Sequence, residues 1–359
     1  MLIRPPNGDP YEIGIAGSLF VEPDSSSRDL PDTSDWWALP GLADCHAHVT
    51  MNSLADFDGI TDATMAASMP VNAWAHLDHG VLLILDKGGK SDATLLTLDH
   101  DADLRPYVET AGSMISSPGG YYKGFGSEVD PHDLVDFVAS TAATRGGWVK
   151  LVGDWPRRGV GPQNNWSLEV LSEAVATAHR AGARVAIHAM AHSASEAVHA
   201  GVDSIEHGPF LTGDDLAVLA VNGGAWVPTI VNMLHLRDML GPDSSGGKMF
   251  QEGLDLMRAN LPVAESLGVT VLAGTDMAVP HGEVATEALL LHDFGLSTAG
   301  AVAAASTNAY RYVGRPSTPT VGTEADVVFF RHNPYENIET LGDPVLIIRR
   351  GKVVRHAGG

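Results

Sequence analysis

The chain has 359 residues, 44% hydrophobic and 18% charged, with a formal net charge of −22 and one cysteine, Cys45. Such a charge excludes nucleic acid as a partner, because phosphates would be repelled. No run of 18 or more apolar residues is present, which excludes a membrane span, and a single cysteine excludes an internal disulfide.

The first 40 residues hold a strand-like run, YEIGIAGSLFVE, and then a polar stretch rich in Asp and Ser. The opening MLIRPPNGDPYEIG lacks the charged and apolar regions of a signal peptide, so a cytoplasmic protein is expected. From residue 38 onward one unit recurs: a helix end, a glycine, an apolar strand and a polar residue. The first strand lies in ALPGLADCHAH (38–48). AHLDHGVLLILD ends at Asp86, RPYVETAG covers 105–112, and AATRGGWVK ends at Lys150. AHRAGARVAIH ends at His188, AVHAGVDSIEH at His207, VLAVNGGAWVPT at Thr229 and AESLGVTVLAGTD at Asp276. The glycines suit helix C-caps, where a left-handed backbone is needed. Helical patterns such as SLEVLSEAVATAHR lie between several of the strands. Eight alternating strands and helices predict an α/β fold, a (β/α)8 TIM barrel over residues 41–314. GPDSSGG (241–247) reads as a loop. After residue 315, GTEADVVFFRHN and PVLIIRRGKVVRHAG read as strands. Residues 1–40 and 315–359 are expected to form one small β-sandwich domain beside the barrel.

Polar residues at the C-terminal strand ends of such a barrel gather on the face that carries chemistry. His46 and His48 are two apart on a strand, so both imidazoles can reach one ion. His188, His207 and Asp276 end later strands, and imidazole and carboxylate are suitable ligands for zinc and similar divalent ions. Lys150 sits inside the apolar run WVKLV, where a lysine is costly to bury without a partner. Tyr121 and Tyr122, Arg157, His192, Asn232 and His281 follow strand ends and are candidate contacts for a small-molecule substrate. Arg157 could grip a carboxylate with two parallel hydrogen bonds.

PGLADCHAH, KLVGD, AIHA, AGVDSIEHG, GTD and the tail GTEADVVFFRHNPYENI together resemble the amidohydrolase superfamily of metal-dependent hydrolases. The resemblance spans nearly the whole chain. It is strongest to the branch of imidazolonepropionase-like proteins and metal-dependent Xaa-Pro and Xaa-Arg dipeptidases. It implies two divalent ions, zinc being expected, bridged by Lys150 after carboxylation by CO2. It also implies His46, His48 and Asp276 on one ion and His188 and His207 on the other. The implied reaction is attack of a metal-bridging hydroxide on an amide, peptide or ester (lactone) carbonyl, with Asp276 moving the proton. Lys150 and Asp276 are thus the implied catalytic residues. In the dipeptidase branch a tyrosine near the fifth strand's histidine helps bind the substrate carboxylate, whereas Met190 and His192 occupy that region here. Two other readings compete. A mononuclear deaminase or cyclic amide or amidine hydrolase of the same superfamily generally lacks the bridging lysine. A non-catalytic scaffold usually loses metal ligands. The sequence leaves homo-oligomerisation open.

Overall fold

The repeated glycine-strand unit folds as parallel strands. The structure is a computed structural model that describes residues 1–26, 30–53, 59–145 and 147–356. The eight principal strands are β1 (Leu42–Ala47), β2 (Val81–Asp86), β3 (Tyr107–Thr110), β4 (Trp148–Val152), β5 (Arg184–Ala189), β6 (Ser204–His207), β7 (Ala225–Val227) and β8 (Thr270–Val271). β1, β2 and β3 pair side by side, and β4 to β8 follow in order within a seven-stranded sheet. Every neighbouring pair is parallel. Two gaps separate the two sheets, and backbone hydrogen bonds cross one of them. There, Cys45 N donates to Ala273 O and Asp276 N to His46 O, both at 2.8 Å. At the other, the chain runs on from β3 to Ile115, which pairs with Leu151 of β4.

Helices cover the outside, and the helix before β5 shows why. Leu168–Arg180 starts at Ser167, whose hydroxyl accepts from Val170 N. It buries Leu171, Ala174, Val175 and Ala178, the spacing of one helix face. The turn into β5 uses Gly182 at φ 77°, a conformation that costs glycine little. Residues 241–247 are not entirely loop. A 23-residue helix, Ser245–Leu267, begins inside them, because the Ser244 hydroxyl accepts from Gly247 N at 2.9 Å and caps its first turn. No helix among the described residues is long and apolar enough to cross a membrane.

The chain ends meet in a four-stranded antiparallel sheet of Trp37–Leu39, Val327–Phe330, Leu346–Arg349 and Lys352–His356. Strand alternation divides its side chains between two cores. Ala38, Val327, Phe329, Leu346 and Ile348 pack with Ile3, Ile13, Ile15 and Phe20 from the N-terminal ribbons. Leu39, Val328, Phe330 and Ile347 face the other way, into the main core.

Candidate metal centre

The ends of β1, β4, β5, β6 and β8 bring six polar side chains together. His46, His48, Lys150, His188, His207 and Asp276 are each no more than 8% exposed. His46 Nε2 and His48 Nε2 lie 3.4 and 3.1 Å from Asp276 Oδ1. Ligand atoms of these three residues all fall within 4.8 Å of one another, close enough to share one ion. The second histidine pair adjoins them: His207 Nε2 is 3.1 Å from His188 Nδ1 and 3.9 Å from Asp276 Oδ2.

Local backbone conformation sets this geometry. Asp276 and His207 have φ of 50° and 68°, and Thr229, at the end of the β7 segment, has 49°. Such values are unusual for residues other than glycine and recur at functional sites. The regular part of β8 stops at Val271. Asp276 is then placed by its backbone bond to His46 O and by Asn232, whose Nδ2 donates to Asp276 Oδ2 at 2.6 Å.

The donor set fits a metal. His48 Nδ1 is 2.6 Å from Gly88 O, and His207 Nδ1 is 2.6 Å from Thr229 Oγ1. The Thr229 hydroxyl donates to Pro228 O and so accepts from His207. In both rings Nδ1 is held by protein and Nε2 is left as a ligand atom, the usual division of labour in a metal-binding imidazole. His46 Nδ1 comes within 2.7 Å of Glu206 Oε2, although neither atom has hydrogen-bond geometry there. Burial pushes the His46 and His207 imidazoles well below their usual range and His188 to about 3. They are therefore neutral, as ligation requires. Burial alone would raise the Asp276 carboxyl, but His46 and His48 hold it below its usual range.

Lys150 Nζ and His188 Nε2 are buried and have no hydrogen-bond partner among the described residues. Orphaned polar atoms of this kind call for an explanation such as a bound ion. Burial lowers the Lys150 ammonium to about 8, Glu206 acting against it.

Above these residues opens a cavity of about 610 Å³. Tyr121, Tyr122 and Asn232 line it, together with Met51, Met114, Phe125, Trp155, Met190, Leu236, Met239, Met249 and Phe250. Tyr121 packs edge-on to Trp155 and His188, with centroids 4.6 and 5.7 Å apart, and burial raises its phenol well above the usual value. Three other expected contacts lie off the lining. Arg157 Nη2 donates to Ser117 Oγ at 3.0 Å. His192 packs at a tilt against Phe210, with centroids 5.8 Å apart, at the start of the Ser193–His199 helix. His281 is held by His76 at 3.1 Å and Met51 O at 2.8 Å.

Sequence reasoning missed Lys87 and Glu206. Lys87 Nζ sits 2.9 Å from Glu206 Oε1, and Ser204 Oγ donates to the same oxygen at 2.6 Å. Ser204 and Glu206 are two apart on β6, a signal for a shared inward face that AGVDSIEHG does contain. Thr229, Trp155 and the methionines of the cavity wall other than Met190 were likewise not singled out as parts of the site.

Solved structures with the same fold include a Xaa-Pro dipeptidase with methionine bound in its active site. Its TM-score is 0.81 and its identity 20%, over 98% of this chain and 97% of that one. A prolidase complexed with N-methylphosphonate-L-proline has a TM-score of 0.78 and 21% identity, over 99% of each chain. The ochratoxinase of A. niger has a TM-score of 0.78 and 22% identity, over 99% of this chain and 94% of that one. These likenesses assign the α/β TIM-barrel type of fold. An uncharacterised protein of Mycobacterium tuberculosis, and another of Mycobacterium bovis, are each 33% identical over 346 residues, covering 94% of this chain and 90% of theirs. The amidohydrolase family model matches residues 37–354. The chain therefore belongs to the amidohydrolase family, hydrolases acting on carbon–nitrogen bonds.

Proposed function

We propose that this chain is a binuclear metal-dependent hydrolase cleaving an amide, peptide or ester bond. The observation that carries this reading is the buried Lys150 Nζ, without a hydrogen-bond partner among the described residues, beside two sets of imidazoles. His46, His48 and Asp276 would hold one divalent ion and His188 and His207 the other. Zinc suits these donors. Lys150, carboxylated by CO2, would supply two anionic oxygens between the two sets, and its lowered ammonium favours the neutral amine that reacts with CO2. A fully cationic Lys150 among ligands would instead repel metal. The strand ring is read as a closed (β/α)8 barrel through the bonds at one gap and the run of chain from β3 to Ile115 at the other. The terminal sheet and ribbons are read as a β-sandwich domain drawn from residues 1–40 and 315–359.

The bound ions would supply Lewis acidity and a nucleophilic water available near neutral pH. The remaining steps belong to the chain. Asp276, oriented by Asn232, accepts a proton from the attacking water and passes it to the leaving nitrogen or oxygen. Proton uptake and release are sequential, so one carboxylate serves both. The Tyr121 phenol, kept protonated by burial, is a hydrogen-bond donor at the cavity wall. The apolar walls limit water around the reacting carbonyl.

The test is metal analysis. Purified, metal-loaded protein should carry about two divalent ions per chain. Lys150→Ala should lose most of that metal and most activity, with partial rescue by a short carboxylic acid. Unchanged metal content in Lys150→Ala rules out the bridging role. One ion in the native protein would favour a mononuclear hydrolase.

A further inference from the structure

Resting on the hydrolase reading of this site, we propose that its substrate is an uncharged aromatic amide or ester with no free carboxylate beside the scissile bond. The first support is the cavity wall. Tyr121 and Tyr122 both pack edge-on to Trp155, each with centroids 4.6 Å apart, forming one aromatic surface next to His188. Met190, Met249 and Phe250 also line the cavity. Thioethers and rings fit flat apolar groups of varied outline.

The second support is charge. Among the described lining residues the only lysine or arginine is Lys150, which lies with the candidate metal ligands. Arg157, Lys123 and Lys248 follow or precede lining residues in the chain but lie off the lining, and Arg157 Nη2 donates to Ser117 Oγ. Asp154 does line the cavity, but its oxygens already accept from the backbone N–H groups of Met190, Ala191 and Ser193 and from the Ser193 hydroxyl. Residues 54–58, outside the described set, contain two aspartates and no basic residue. A substrate carboxylate lodged against this wall, away from the candidate metal ligands, would lose its water and meet no basic side chain among the described lining residues. The net charge of −22 also opposes its approach.

The third support is the rim. Met239, Leu240 and Tyr122 belong to the cavity lining yet are 63%, 46% and 39% exposed. The apolar surface therefore continues from the interior to solvent, as expected where an apolar molecule enters. In the reaction the oxygen of water bonds to the carbonyl carbon and the C–N or C–O bond breaks. One water proton finishes on the departing nitrogen or oxygen, giving an acid and an amine or alcohol.

The experiment uses matched pairs on the metal-loaded protein. One pair is N-benzoyl-phenylalanine methylamide and N-benzoyl-phenylalanine, with benzoate release measured. Further pairs are aryl anilides, aryl carbamates and aryl esters with and without an adjacent carboxylate. The neutral member should have a kcat/KM at least ten-fold higher, mostly through KM. Met190→Arg and Met249→Arg place a cation on the wall. Either variant, with metal content retained, should narrow that ratio at least ten-fold. A preference for free dipeptides or carboxylate members overturns the substrate proposal and leaves the hydrolase intact. So does an unchanged ratio in both variants, or no turnover of any neutral member by protein carrying two ions. Failure to take up metal at all overturns the hydrolase reading instead.

Discussion

Two buried lysines lie close together in the barrel, and their surroundings are opposite. Lys87 and Lys150 are 2% and 1% exposed. Lys87 follows β2, but its Nζ reaches Ser204 at 3.4 Å and lies 4.9 Å from the Trp148 ring centroid. Those residues begin β6 and β4, so Lys87 belongs to a layer beneath the candidate metal centre. There its charge meets Glu206, which Ser204 also binds. Lys150 is two residues further along β4 than Trp148, and its Nζ has no hydrogen-bond partner among the described residues. A buried charge that is paired is costly to deprive of its partner. A buried amine left without a partner is a cost to the fold, which a ligand can remove. The difference separates a structural layer from a chemical one a few ångströms away.

The strongest way to break this distinction is Lys87→Met. It leaves Glu206, at 0% exposure, without the cation that binds it directly. Removing one partner of such a pair costs about 3–5 kcal/mol. Urea denaturation of the metal-free protein at pH 7 should show a loss of that size. A loss below about 1 kcal/mol would mean that the Lys87–Glu206 pair does not support the fold.

Lys150→Met should act in the opposite direction. Burial lowers the folded-state ammonium from 10.5 to about 8. Between those values the unfolded chain binds more protons than the folded one, so the wild-type protein gains stability as pH rises through that window. Below pH 8 the folded state carries the full penalty, roughly 3 kcal/mol at about 1.4 kcal/mol per tenfold change. In CO2-free, metal-free buffer, Lys150→Met should therefore be more stable than wild type at pH 7. The gap should close between about pH 8 and pH 10.5. A Lys150→Met protein less stable than wild type at pH 7 would place Lys150 in the structural layer with Lys87.

The two layers were unequally legible in the sequence. The chemical layer lies at strand ends, and the recurring glycine-strand-polar unit marks those ends directly. Lys150 also stood out because WVKLV is otherwise apolar. Lys87 did not, because it follows Asp86 at a strand end and its long stem then runs back beneath the site, a path that spacing does not encode. Glu206 was hidden for a different reason. Strict alternation sends the adjacent Glu206 and His207 to opposite faces. Both are fully buried here, with His207 at φ 68°, where the regular pleat ends. Arg157 was readable as a basic residue after β4. Its partners Ser117 and Asn165 are 40 and 8 residues away, so its commitment could not be seen locally. The five wall methionines come from separate segments and share no period. The terminal sheet was easier, since VVFF and LIIR are unbroken β-branched and aromatic or aliphatic runs.

Asp154 sharpens the comparison with a third solution to burial. It is 1% exposed and has no cationic partner among the described residues. Its Oδ1 accepts from Met190 N at 3.1 Å, and its Oδ2 accepts from Ala191 N, Ser193 N and the Ser193 hydroxyl at 2.9, 3.2 and 2.5 Å. Dipoles at the start of the Ser193–His199 helix thus do for Asp154 what Lys87 does for Glu206. Asp154→Asn keeps the size but turns an amide N–H₂ toward donors. The cost should be about 1–3 kcal/mol, smaller than for Lys87→Met because no bare charge remains. Met190 is fixed to the cavity wall by one of these bonds, so KM for an apolar substrate should rise while metal content stays the same. Loss of metal in Asp154→Asn would show that Asp154 belongs to the chemical layer rather than to its support.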